Sequence, residues 1–173
     1  MNKEDLRKHI VLIGFMGAGK SSVAKGLSEK LNYTLLELDD QVISLSGVAS
    51  VKDIFDQFGE GRFRELEAEA LLAALQADSP KVVSTGGGIL SRSSNQELLK
   101  ESSAIILLLN ASFDTIERRL EGDSKRPLFK DIERAKQLYA ERQSKYEEAA
   151  DFKIETDDLA IEEVIEKIIS LEL

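Results

Sequence analysis

The run Gly14-Phe15-Met16-Gly17-Ala18-Gly19-Lys20-Ser21 fits the pattern G-x-x-x-x-G-K-[ST]. Its flanks carry as much meaning as its letters. Upstream, His9 to Gly14 is a short apolar run that reads as a strand, and downstream Lys20 to Lys30 has helical periodicity. A strand, a glycine-rich loop and a helix in that order make a phosphate cradle. The glycines let the backbone curl until several N–H groups point inward, and the helix adds the positive end of its dipole. Gly17, Ala18, Gly19, Lys20, Ser21 and Ser22 are therefore the expected nucleotide-binding residues. Lys20, standing exposed at the cradle, would bridge the β- and γ-phosphates of ATP or GTP, and Ser21 would ligate Mg²⁺. The loop leaves the acceptor open, because hydrolases, switches and kinases all share it.

Working outward, short apolar runs alternate with longer helical stretches, the pattern of a parallel sheet wrapped by helices. The expected strands are His9 to Gly14, Thr34 to Leu38, Val82 to Ser84, Ile105 to Leu109 and Phe152 to Glu155. The central ones are nearly all apolar, as strands buried on both faces should be. Helices are expected at Lys20 to Lys30, Val51 to Phe58, Gly61 to Ala77, Asn95 to Glu101, Ser112 to Glu121, Asp131 to Ala150 and Ile161 to Leu171. Gly122 to Asp131, with its Gly-Asp-Ser-Lys-Arg-Pro run, reads as a loop and a lid candidate. No repeat or linker divides the chain, so residues 1–173 are expected to form one domain.

Composition narrows the function. With 42% hydrophobic and 32% charged residues the chain reads as an ordinary globular protein. A formal charge of −9 argues against general nucleic-acid binding, which needs a basic surface, but not against a phosphorylated small ligand held by local charge. The absence of cysteine excludes disulfides, thiolate catalysis and Cys-ligated metals. The polar start Met1-Asn2-Lys3-Glu4-Asp5 fits neither a signal peptide nor a membrane span, and a cytoplasmic monomer with no membrane partner is expected. There is no Asn-Lys-x-Asp guanine motif, and the third strand ends Val82-Val83-Ser84-Thr85 without an acid, so a GTPase switch is disfavoured. A carboxylate elsewhere must then help Ser21 hold the metal.

Four further segments, taken together, resemble the shikimate kinase family, from the phosphate loop almost to the C-terminus. In Glu37-Leu38-Asp39 the family has an Asp-x-Asp pair, the first acid on the metal side and the second holding substrate hydroxyls and serving as base; Asp39 matches and Glu37 departs. Gly59-Glu60-Gly61-Arg62-Phe63-Arg64-Glu65-Leu66-Glu67 resembles G-E-x-x-F-R-x-x-E, which implies that Arg64 clamps the shikimate carboxylate. A guanidinium suits that task through two parallel N–H bonds, and Glu67 on the same helical face could orient it. In Ser84-Thr85-Gly86-Gly87-Gly88, backbone bare of side chains would let Gly86, Gly87 and Gly88 approach the ring. Arg126-Pro127-Leu128 resembles the family's R-P-L lid motif, and Arg142-Gln143-Ser144-Lys145-Tyr146 its R-x-x-x-Y helix.

The resemblance implies an α/β three-layer P-loop kinase fold with a five-stranded parallel sheet in the nucleoside-monophosphate-kinase order and a mobile lid. It implies that Arg126 reaches over the phosphates as a catalytic charge, that Arg142 joins Arg64 on the carboxylate, and that Arg119 lies against the adenine beside the loop Ile154-Glu155-Thr156-Asp157-Asp158. Taken singly, each arginine reads as a solvated charge; their joint order and spacing favour the site. The implied activity is transfer of the γ-phosphate of ATP to the 3-hydroxyl of shikimate. A gluconate or nucleotide kinase of the same fold, and a non-catalytic relative, are the alternatives. Among the remaining conspicuous residues, Asp40 is the better candidate for a helix N-cap, His9 is expected at the surface, and Phe55, Phe58 and Phe63 are expected in the core or pocket wall.

Overall fold

A computed structural model describes residues 8–121 and 131–172. Along the chain run β1 (Ile10–Ile13), α1 (Lys20–Leu31), β2 (Thr34–Glu37), α2 (Leu38–Ser46), α3 (Val51–Leu75) and β3 (Lys81–Ser84). A 3₁₀ turn at Ile89–Ser91 leads to α4 (Ser93–Glu101), β4 (Ile105–Asn110), α5 (Phe113–Leu120), α6 (Ile132–Ala149), β5 (Phe152–Glu155) and α7 (Ile161–Ile169). All the strands pair in parallel, in the order β2-β3-β1-β4-β5, which matches the expected five-stranded sheet. The expected lid at 122–131, with Arg126, lies outside the described residues except for Asp131, whose side chain caps α6 by accepting the Arg134 N–H.

Alternation along the central strands builds the layers. Val11 and Ile13 of β1 and Ile106 and Leu108 of β4 face one core, which α2, α3, α4 and α6 close with Val42, Leu66, Leu99 and Tyr146. Their neighbours Ile10, Leu12, Leu107 and Leu109 face a second core closed by Val23 and Leu27 of α1 and Val164 and Ile168 of α7. Strands buried on both sides cannot tolerate polar residues, which is why β1 and β4 read as continuous apolar runs. No helix among the described residues is long and apolar enough to cross a membrane.

Several expectations need correction. A helix, α2, begins at Leu38 directly after β2; its N-cap is Glu37, without a side-chain cap bond, and Asp39 and Asp40 occupy the first turn, so Asp40 is not the cap. By contrast, the two helices expected on either side of residue 59 are both present: α3 is two helical segments meeting at Gly59, whose φ 79° and ψ 173° are non-helical and open to glycine. His9 is not a free surface residue. Its Nδ1 accepts the Lys81 N–H at 3.2 Å and its Nε2 lies 3.1 Å from the Ala77 carbonyl, fastening the start of β1 to the approach to β3. Phe63 is buried and Phe55 packs on it with ring centroids 4.8 Å apart, but Phe58 is 52% exposed and belongs to no core.

Candidate active site

The phosphate loop connects β1 to α1 across the C-terminal edge of the sheet. Gly14 takes φ 142°, and a Cβ there would meet the Leu109 carbonyl oxygen at 2.5 Å, so neither conformation nor space admits another residue. Gly19, with φ 96°, is the N-cap of α1, whose first turn carries no acid to offset its positive end. The expectation that Lys20 stands exposed is wrong. The residue is 8% exposed, and its Nζ donates to the carbonyls of Gly14 (2.8 Å) and Phe15 (2.9 Å). An ammonium near the sheet edge needs oxygen partners, and the carbonyl side of its own loop supplies them. The Ala18 methyl packs into the core and its N–H donates to Phe15 O, so only its backbone borders the cradle.

Ser21 and Ser22 open α1 in a cleft of about 310 Å³ that also takes in Lys20, Glu37, Asp39 and Arg119. Ser21 Oγ donates to Glu37 Oε2 at 3.1 Å and lies 3.4 Å from Ser84 Oγ. Glu37 and Ser84 are register partners on β2 and β3, so the two strands deliver both side chains to one place. A cluster of hydroxyl and carboxylate oxygens suits a hard cation such as Mg²⁺, which takes few protein ligands and keeps several waters. Arg119 on α5 donates to Gly17 O (3.4 Å) and Ala18 O (3.5 Å) and, through its other nitrogen, to Thr156 O (2.9 Å). It thereby ties the phosphate loop to the loop after β5, where the sequence placed the adenine.

The glycine run after β3 is the meeting point of the remaining candidates. A Cβ on Gly88 would lie 2.4 Å from Arg64 Nη1, one on Gly87 would lie 3.7 Å from Arg142 Nη1, and one on Gly86 would lie 3.3 Å from Asp39 Oδ1. Helices α2, α3 and α6 thus bring an acid and two guanidiniums to three consecutive residues without side chains. Arg64 is held by Glu67 at 2.8 Å and Glu60 at 3.3 Å, with its Cζ 5.1 Å from the Phe63 ring centroid. Arg142 stands with its Cζ 5.8 Å from the centroid of the Phe15 ring.

Glu67 is 1% exposed, and its Oε1 has no hydrogen-bond partner. Burial pushes its carboxyl up from the usual range, opposed by the pull of Arg64 and reinforced by Asp39. Sequence reasoning named Glu67 as the orienting acid but missed Glu60 as its companion, although Glu60 stands four residues before Arg64 on the same helix. It also gave no role to Ser84, whose only signal is its place at the end of the third strand.

A family profile described as shikimate kinase matches residues 16–172. A shikimate kinase of Thermodesulfovibrio yellowstonii is 41% identical over 165 residues, covering 94% of this chain and 93% of that protein. A shikimate kinase of Acinetobacter baumannii, solved in complex with shikimate, superposes with a TM-score of 0.87 at 31% identity, covering 95% of this chain and 92% of the other. The shikimate kinase of Aquifex aeolicus superposes at 0.82 with 34% identity, covering 95% and 96%. With a phosphate cradle beside a glycine run on which an acid and two guanidiniums converge, and with likeness of that extent, the chain belongs to the shikimate kinase family.

Proposed function

We propose that this kinase, as one domain, carries the γ-phosphoryl group of ATP to the 3-hydroxyl of shikimate with the residues gathered around the glycine run. The observation that carries the reading is the convergence of Asp39, Arg64 and Arg142 on Gly86, Gly87 and Gly88, beside the cleft that holds Lys20 and Ser21. A planar carboxylate between two guanidiniums gains charge-assisted, directional bonds and orients the ring. Asp39 then faces the hydroxyl to be phosphorylated and accepts its proton.

On the donor side, Arg119 and the loop after β5 flank the adenine, and the backbone of Gly17, Ala18 and Gly19 with Ser22 borders the phosphates. Lys20 swings from the Gly14 and Phe15 carbonyls to the β- and γ-phosphate oxygens, exchanging neutral acceptors for charged ones. Ser21 and Glu37 would hold Mg²⁺, which when bound neutralises phosphate charge. Arg126, outside the described residues, faces the transferring group on the motif alone. Catalysis is then positioning and charge neutralisation rather than covalent chemistry.

A coupled assay of ADP release with shikimate, gluconate and nucleoside monophosphates as rival acceptors tests the reading. Shikimate-dependent turnover at least about 100-fold above the others in kcat/KM supports it. Preference for gluconate or a nucleotide, or no turnover with any acceptor, overturns it.

A further inference from the structure

Tyr146 heads the largest fully buried side chains among the described residues, and a buried phenol must place its hydroxyl on a partner. That hydroxyl donates to the Gly87 carbonyl at 2.5 Å. A phenol has one proton and two lone pairs, so with the proton on Gly87 it can only accept from any other group. Arg142, one turn earlier on α6, lines the same small cleft as Tyr146 and Gly87, its Nη1 3.7 Å from where a Gly87 Cβ would stand, and is the neighbouring donor that could serve those lone pairs. Burial pushes the phenol up to about 12, which keeps its proton in place on the bond to Gly87. The observed contact is Tyr146 O–H to Gly87 O, with the Arg142 guanidinium beside the same glycine.

We propose that Tyr146 is a positioning residue for the acceptor carboxylate, its hydroxyl holding the Arg142 guanidinium in place while fixing the plane of the Gly87–Gly88 peptide. A trans peptide turns its C=O and N–H to opposite sides, so fixing the Gly87 carbonyl also aims the Gly88 N–H. The inference rests on the reading of Arg142 as a carboxylate ligand.

A tyrosine that merely filled space would act on both ligands alike, but the anchors of α6 are divided along its length. Tyr139, two turns earlier, packs edge-on against Phe15 of the phosphate loop at 5.4 Å and donates to the Ala111 carbonyl at 2.8 Å. Gln143 donates to Asn110 at the end of β4. Of these three anchors, Tyr146 is the one bonded to the glycine run, so loss of its hydroxyl should fall on the acceptor and spare the nucleotide.

Tyr146→Phe removes one oxygen and keeps the ring. The expected result is a rise in KM for shikimate of about 10-fold, the scale of one lost hydrogen bond, with KM for ATP within about twofold. Against a shikimate analogue whose carboxylate is replaced by hydroxymethyl, Tyr146→Phe and wild type should have equal KM, a result that a packing role would not give. Should the Phe variant not fold, site-specific 3-fluorotyrosine at 146 keeps shape and proton but accepts more weakly from Arg142, and it should raise KM for shikimate alone. Equal changes for both ligands, an unchanged KM for shikimate in a folded variant, or the same penalty with the analogue would each overturn the inference. Arg142→Ala separates the two readings: if it leaves KM for shikimate unmoved, the clamp itself is wrong, whereas if it raises that KM and Tyr146→Phe does not, only the positioning role fails.

Discussion

Gly88→Ala is the sharpest probe of the acceptor clamp, because the substitution adds one methyl at a position where its backbone costs nothing. Gly88 has φ −99°, open to any residue, so no strain arises from the chain itself. The obstacle is Arg64. A Cβ on Gly88 would lie 2.4 Å from Nη1, 2.6 Å from Nη2 and 2.8 Å from Cζ, against about 3.4 Å for ordinary contact, so the guanidinium must retreat by roughly 1 Å. Arg64 is a long side chain and can yield, but not freely, since Glu67 and Glu60 both grip it. A displacement of that size breaks a two-point carboxylate contact, worth about 1.5–3 kcal/mol, or about 10- to 150-fold in KM for shikimate. Steady-state kinetics with each substrate varied should show that rise with KM for ATP within about twofold, and thermal melting should show a folded protein. Arg64→Ala should give a loss of similar size, and the double variant little more than either alone, because both act on one contact. Full shikimate affinity in Gly88→Ala would refute the placement of Arg64 across the glycine run, and equal losses for both substrates would refute its assignment to the acceptor.

Lys20→Ala should lower kcat by about 10²–10³ through loss of one charge on the transferring group, and cost about 1–3 kcal/mol in denaturant unfolding because the Gly14 and Phe15 carbonyls lose their donor. Near-normal turnover in a folded variant would remove its catalytic role. Asp39→Asn should lower kcat by about 10²–10⁴ if Asp39 accepts the hydroxyl proton; a change confined to KM for shikimate would make it a positioning group instead. Glu37→Ala should raise the Mg²⁺ concentration for half-maximal rate and leave KM for shikimate near wild type, while Glu37→Asp keeps activity within about fivefold. Superimposable Mg²⁺ titrations for wild type and Glu37→Ala would sink the metal role.

The elements were legible where a single period ruled the sequence. β1 and β4 lie in the middle of the sheet and read as unbroken apolar runs, and α1 follows a loop whose glycines mark its start. α2 was illegible as a helix beginning at Leu38, because it follows β2 with no intervening residue and only Leu38 and Val42 of its length are buried. Of the site, sequence order named Asp39, Arg64 and Arg142, yet nothing in it says that they meet: the helices bearing the two arginines are brought together only by the tertiary fold, over Gly87 and Gly88. Lys20 was misjudged for a related reason, since a pattern shows that a lysine adjoins a phosphate loop but not that the loop turns its carbonyls inward to hold it.

The departure at Glu37 takes on a physical sense through strand register. A parallel sheet brings residues of adjacent strands level at its C-terminal edge, where ligands of open α/β sheets bind. Ser84 ends β3, the strand next to the phosphate loop's own, and it brings a hydroxyl where an acid would serve the metal directly. Glu37 is its register partner on the edge strand β2, one strand further from the loop. A carboxylate on the outer strand must span an extra strand spacing to reach Ser21, and glutamate carries one more methylene than aspartate to do it. The 3.1 Å contact between Ser21 Oγ and Glu37 Oε2 is that reach achieved. Aspartate at 37 would draw the carboxylate back by about one C–C bond, a gap that one water in the shell of Mg²⁺ can fill. The substitution should therefore trade direct contact with Ser21 for water-mediated contact, which is why a shift in Mg²⁺ requirement, rather than loss of turnover, is the outcome expected of Glu37→Asp.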